Sequence, residues 1–188
     1  MKICLTGHKN GLGKALFDQL RVMYDVVGFD YPDDLEDPMV EDRFFGELFD
    51  CDVVILSAPV RQLDFLRAII EYHYNDPKKV IVIGSVAGTF EKKVDHPSLN
   101  SSMDTHKDAW DKYINDQRSV KKFVTEFQHS KYYDIPNTKL QISCLSLQQL
   151  DDPRSDFTNN RMPFHTVVDL VCDLIDNQYI LNTEVWHA

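Results

Sequence analysis

Hydrophobic and polar positions along this chain alternate between two periods. Residues 3–6 are a short, continuously apolar run that breaks on glycine, which predicts a buried strand. From residue 12 to residue 23 the period lengthens, and Leu12, Ala15, Leu16, Leu20 and Met23 fall on one helical face. The alternation then repeats. Further strands are predicted at 25–30 (DVVGFD), 52–57 (DVVILS), 79–84 (KVIVIG), 139–147 and 179–186, and further helices at 40–49, 62–74, 105–129 and 163–175. Residues 31–39 read as a Pro/Asp loop, and 85–104 carry too many polar and turn residues for a regular element. Strands alternating with helices at this spacing imply right-handed crossovers. The predicted fold class is α/β, a doubly wound parallel sheet, and no repeat or linker interrupts it.

The first strand–helix junction carries the chemistry. It reads Thr6-Gly7-His8-Lys9-Asn10-Gly11-Leu12-Gly13. Glycines at such a junction permit a tight turn, let backbone approach a pyrophosphate, and leave that phosphate at the positive end of the helix. Asp30 ends the second strand, 17 residues after Gly13. That is close to the offset of about 20 residues at which an acid accepts hydrogen bonds from an adenosine ribose. A carboxylate there repels a 2′-phosphate, so NAD is the expected cofactor. His8 and Lys9, basic residues in the turn, keep NADP possible. Residues 1–188 are thus expected to be a single NAD(P)-binding Rossmann domain.

Composition narrows the partners. The 188 residues include 43% hydrophobic and 27% charged positions, ordinary for a soluble globular protein. The net charge of −10 repels phosphate backbones and anionic lipid, so neither nucleic acid nor membrane is expected as a partner. Asp33, Asp34, Glu36, Asp37, Glu41 and Asp42 read as a solvated acidic loop. Met1 leads directly into an apolar strand, and no run reaches the roughly 18 apolar residues of a membrane span, so a cytoplasmic protein without a signal peptide is expected. Cys4, Cys51, Cys144 and Cys172 are widely separated and read as reduced core thiols. The histidines show no metal spacing, and no metal is expected.

Three motifs together resemble the short-chain dehydrogenase/reductases. The turn has that family's T-G-x-x-x-G-L-G spacing; Ile83-Gly84-Ser85-Val86-Ala87-Gly88 resembles its strand ending in a catalytic serine; and Tyr113-Ile114-Asn115-Asp116-Gln117 is placed like its Y-x-x-x-K. The order of elements after residue 139, down to Asn182-Thr183-Glu184-Val185-Trp186, also fits, so the resemblance covers nearly the whole chain. It implies that Tyr113 is the general acid/base and that Ser85 holds the substrate oxygen. It also implies that Thr6, Gly7, His8, Asn10, Gly11, Leu12, Gly13, Asp30, Ser57, Ala58, Pro59 and Gln117 surround the cofactor.

The departures fall mostly in the catalytic half. Gln117 replaces the family's lysine: it shares a helix face with Tyr113 and can bond a ribose hydroxyl, but it has no charge to stabilise a tyrosinate. Ser57-Ala58-Pro59 replaces N-A-G, a strand–helix pair is trimmed between residues 30 and 52, and no helix-borne catalytic asparagine has room. Locally, residues 51–60 also resemble the NAD domain of prephenate dehydrogenases, a family that needs a further helical domain this chain has no room for. The family resemblance further implies a homodimer through the long helix. Trp110, Tyr113, Phe123 and Phe127 there exceed what one buried face needs.

The leading expectation is an NAD(P)-dependent oxidoreductase interconverting a small alcohol and a carbonyl, with catalytic residues Ser85, Tyr113 and Gln117. The alternative is a catalytically weak or inactive NAD(H)-binding or sensor protein, favoured by the missing lysine and asparagines.

Overall fold

In the computed structural model of the chain, the residues described are 1–30, 38–85, 103–129, 139–147, 162–177 and 182–185. The first apolar run becomes β1 (Lys2–Thr6), followed by α1 (Gly11–Leu20) and β2 (Asp25–Phe29). Next come α2 (Pro38–Asp50), β3 (Val53–Leu56), α3 (Gln62–His73) and β4 (Lys79–Ser85). The long helix α4 (Met103–His129), β5 (Gln141–Leu147), α5 (Phe164–Asp176) and β6 (Asn182–Val185) complete the order. All six strands join one parallel sheet in the order β2-β1-β3-β4-β5-β6. The doubly wound α/β expectation is met.

Two apolar layers explain the winding. On one face Phe44 and Leu48 of α2, Phe65, Leu66 and Ile69 of α3, and Val120, Val124 and Phe127 of α4 pack on Cys4, Val54, Val80 and Ile142. On the other, Leu12, Leu16 and Leu20 of α1 and Val167, Val171 and Leu174 of α5 pack on Ile3, Val53, Ile81 and Leu145. Alternate residues of β1, β3 and β4 therefore serve opposite cores, which is why these strands read as unbroken apolar runs. The change of side between α1 and α3 puts a topological switch point between β1 and β3, where open α/β sheets form their crevice at the carboxyl ends of the strands.

Some boundaries differ from the sequence reading. Helix α1 stops at Leu20 rather than residue 23, because Asp25 must already pair with Lys2. Val22 and Met23 consequently lie in an exposed turn, and Met23 does not belong to the buried face. Helix α2 begins at Pro38, a residue whose fixed φ and missing N–H suit the first turn of a helix. Glu41 and Asp42 sit on this helix rather than in a loop. The rest of the acidic run, the remainder of the 31–39 loop, Val86-Ala87-Gly88 and the residues after Val185 lie outside the described residues.

Helix α4 starts two residues earlier than predicted. Phe127 is buried, Phe123 packs half-buried on the same core under the guanidinium of Arg67, and Tyr113 is half-buried. These three aromatics are accommodated within the chain, so the surplus from which a dimer is expected does not extend to them.

Cys4, Cys51 and Cys144 are buried and Cys172 half-buried, all as free thiols. No helix among the described residues is long and apolar enough to cross a membrane. The last carbonyls of α5, at Leu174 and Ile175, and that of Asn177 accept hydrogen bonds from the Lys79 ammonium. A cation there suits the negative end of a helix and ties α5 to the start of β4.

Candidate functional site

The carboxyl ends of β1, β2 and β3 meet at the glycine turn. Gly7 takes φ +80° and Gly11 φ +52°, left-handed conformations that other residues rarely adopt. The Gly7 N–H donates to Phe29 O at 2.7 Å, which fixes the turn beside the residue preceding Asp30. A Cβ on Gly7 would come within 3.0 Å of Ala58 N, and one on Gly13 would stand 1.8 Å from Gly7 O and 3.3 Å from Ser57 Oγ. Thr6 Oγ1 accepts a hydrogen bond from Ala58 N–H at 3.2 Å. The structure thus brings Thr6, Gly7, Gly13, Ser57 and Ala58 into one contact, while Pro59 is exposed beside it.

Helix α1 opens without a cap. Asn10 is extended at its N-cap and makes no side-chain capping bond, and no acid lies in the first turn. Among the described residues no side chain caps the first-turn N–H groups, so the positive end of the helix is suited to an anion. The close approach of Gly13 to Gly7 O and of Gly7 to Ala58 leaves the turn as bare backbone, a shape that fits a pyrophosphate. Leu12 turns its side chain into the core, so only its backbone can face such a ligand.

Asp30 follows directly on β2 and is half-buried. His8 goes elsewhere. Its ring lies against Gly28, where a Cβ would meet His8 Cγ at 2.4 Å, and stands 5.2 Å from the Phe17 ring of α1. His8 Nδ1 is buried there without a hydrogen-bond partner among the described residues. This basic residue is wedged between α1 and β2, while Lys9 is exposed.

At the end of β4 the Ser85 hydroxyl is hydrogen-bonded to Tyr113 of α4. Tyr113, Gln117, Val120, Val124 and Phe127 occupy one stripe of that helix, so the same periodicity that buries the core aims the phenol at the strand end. Burial pushes the Tyr113 phenol above its ordinary value, and the Ser85 hydrogen bond works in the opposite direction without cancelling it.

Gln117 is almost fully buried, at 3% exposure. Its Oε1 accepts from Ser85 N–H at 2.9 Å and its Nε2 donates to Gln62 Oε1 at 3.2 Å. Gln62, the first residue of α3 and 2% exposed, donates from Nε2 to Leu56 O at 2.9 Å and Ile83 O at 2.8 Å. Sequence reasoning missed Gln62. The available signal was an amide on the apolar stripe shared with Phe65, Leu66 and Ile69, a position where a polar group must find partners.

Arg61, also missed, precedes it in the left-handed region (φ +57°), a conformation costing of order 1–3 kcal/mol in a non-glycine residue. Its guanidinium pairs with Glu41 Oε1 at 2.6 Å and lies 5.2 Å from the Phe65 ring centroid, joining the starts of α2 and α3. A separate, largely apolar groove of about 640 Å³ runs between α2 and α3, past Phe45, Phe49 and Tyr72, and contains none of the candidate residues. No group of three or more His, Cys, Asp and Glu side chains suited to a metal occurs among the described residues.

No protein-family model matches this sequence, and no curated protein matches it. In three dimensions the chain is similar to 3-alpha-hydroxysteroid dehydrogenase from Pseudomonas sp. B-0831, solved with NADH (14% identity, TM-score 0.65, covering 98% of this chain and 94% of that one). It is similar to a short-chain dehydrogenase/reductase from Vibrio parahaemolyticus over the whole of both chains, at 13% identity and TM-score 0.64. A short-chain dehydrogenase from Burkholderia cenocepacia J2315, solved with NADP, matches at 15% identity and TM-score 0.65, covering 100% of this chain and 87% of that one. The chain has the fold of the short-chain dehydrogenase/reductases, at low sequence identity.

Proposed function

We propose that this chain is an NAD(P)-dependent oxidoreductase that interconverts a small alcohol and a carbonyl, working best as a carbonyl reductase. The observation that carries the reading is the Ser85–Tyr113 hydroxyl pair, held at the end of β4, two strands from a glycine turn shaped for a pyrophosphate. A bound nicotinamide dinucleotide supplies the hydride. The remaining work belongs to the chain. The α1 N-terminus takes the pyrophosphate, Asp30 accepts the adenosine ribose hydroxyls and favours NAD over NADP, and Ser57, Ala58 and Pro59 border the crevice. Ser85 holds the substrate oxygen and Tyr113 gives it a proton. A phenol held protonated by burial suits that acid role better than the base role of alcohol oxidation.

The test is turnover of NADH and NADPH against small aldehydes and ketones, followed by the loss of reduced-nicotinamide absorbance. Tyr113→Phe and Ser85→Ala should abolish turnover while calorimetry still detects NADH. Failure of the parent to bind NAD(H) or NADP(H) at about millimolar concentration removes the reading altogether.

A second reading, a dinucleotide-binding protein without turnover, is favoured by one observation: both ends of the Gln117 side chain are engaged by Ser85 N–H and Gln62. Dinucleotide binding with no turnover, unchanged in Tyr113→Phe, would select it.

A further inference from the structure

Two buried glutamines lie under the Ser85–Tyr113 pair, and their hydrogen bonds have a direction. Gln62 Nε2 faces two backbone carbonyls, Leu56 O and Ile83 O, which can only accept. The amide of Gln62 must therefore point its NH₂ at the strand ends and its oxygen at Gln117. Gln117 must then present its own NH₂ to Gln62, leaving its oxygen for Ser85 N–H. The carbonyls of two adjacent strands thus set the polarity of two consecutive amides, so that an acceptor meets the serine.

Such an acceptor is needed there. Strand β3 ends at Leu56, opposite Val82, so its ladder with β4 stops before Ser85, whereas the ladder with β5 runs on to pair Ser85 with Leu147. The Gln117 oxygen takes over where the ladder stops. Gly84 leaves the room: a Cβ there would stand 3.2 Å from Gln117 Oε1. The left-handed turn at Arg61 brings Gln62 to the head of α3, from which its side chain reaches back across both strand ends.

We infer that Gln62 is a positioning residue for the reacting pair, fixing the backbone of Ser85 through Gln117 so that the serine hydroxyl meets Tyr113. This rests on the reading of Ser85 and Tyr113 as the groups that handle the substrate oxygen. Gln62 touches neither substrate nor cofactor in this account; it acts through Gln117. A buried network whose members are all satisfied specifies one geometry, whereas a half-satisfied one does not.

The experiment follows the ionisation of Tyr113 in the full chain by ¹⁹F NMR of fluorotyrosine-labelled protein, whose phenols titrate at lower pH. The Tyr113 resonance is assigned by its loss in Tyr113→Phe. Ser85→Ala removes the hydrogen bond that favours the tyrosinate and should move the Tyr113 midpoint to higher pH. Gln62→Met should move it the same way by a comparable amount, with no further shift in the Gln62→Met/Ser85→Ala double variant.

A purely structural glutamine would lower the unfolding midpoint and leave the Tyr113 titration alone, or shift it equally in both backgrounds. Either result overturns the inference. If Gln62→Met does not fold, Gln117→Met carries the same expectation, because it removes the acceptor from Ser85 N–H while leaving Gln62 on its two carbonyls. An unmoved titration in Ser85→Ala breaks the reacting pair itself, and the proposed function with it. A shift in Ser85→Ala but in neither glutamine variant overturns only the positioning role.

Discussion

The carbonyl oxygen of Gly7 occupies the place of a side chain on residue 13: a Cβ there would be 1.8 Å away. Helix α1 can leave the strand at this angle only if residue 13 is glycine. Gly13→Ala should therefore push the turn apart, lower stability by about 1–3 kcal/mol, as overpacking does, and abolish NAD(H) binding by calorimetry. Gly46, in the exposed middle of α2, has nothing within 4 Å of its Cβ position. The same substitution there should raise stability by about 0.5–1 kcal/mol and leave binding unchanged. A folded, NAD(H)-binding Gly13→Ala protein would refute the role given to this contact.

His8 and Gly28 make a second complementary pair, ring against missing side chain. Gly28→Ala puts a methyl 2.4 Å from His8 Cγ, near the stiff base of the imidazole rather than at a flexible tip. Chemical denaturation should show a loss of about 1–3 kcal/mol. Much of that loss should return in Gly28→Ala/His8→Ala, because the two substitutions share one space and are not additive. Independent, additive effects would mean that the ring has another place to go.

Strand and helix order, the parallel sheet and the glycine turn were legible because each follows from local periodicity or from a backbone constraint that only glycine satisfies. Gly7, Gly11 and Gly13 belong to that class. His8 did not. Its position depends on Gly28, a residue 20 places away in sequence whose relevance appears only once β2 pairs with β1. Gln117 was legible as a departure from Y-x-x-x-K, but its partners were not. They are a backbone N–H at the end of β4 and an amide at the start of α3, brought together by three separate elements. Met23 satisfied the helical spacing and is nevertheless exposed, because the register of β2 against β1 ends the helix before that residue.

On the proposed function, cofactor choice turns on Asp30. With His8 wedged between α1 and β2, one of the two basic residues that kept NADP open is drawn away from the crevice. NAD should bind more tightly than NADP, and Asp30→Ala should narrow the gap by weakening NAD and relieving repulsion of the 2′-phosphate. Calorimetry with both cofactors decides this. A parent that prefers NADP would leave Lys9 as the dominant group.

The last prediction concerns the proton. A free tyrosine loses its proton near pH 10, and burial raises Tyr113 beyond its ordinary value. At neutral pH the phenol is therefore an acid and scarcely a base. Carbonyl reduction should be flat through neutral pH and decline only as the medium passes the raised pKa. Alcohol oxidation should be slow at pH 7 and climb roughly tenfold per pH unit on the alkaline side, because the ionised fraction grows at that rate. A lysine at position 117 looks, from the sequence, like the change that would restore oxidation, since an ammonium within roughly 4–6 Å lowers a pKa by 1–3 units.

The contacts of Gln117 argue otherwise. An ammonium has no lone pair for Ser85 N–H, so Gln117→Lys would set donor against donor at the end of β4 and bury a charge beside Gln62. The variant should lose about 1–3 kcal/mol of stability and gain no alcohol oxidation, with denaturation and pH–rate profiles as the measurements. A Gln117→Lys protein as stable as the parent and faster in oxidation would mean that Ser85 finds its geometry without the amide, and that the lysine can turn toward Tyr113 as it cannot in the arrangement described.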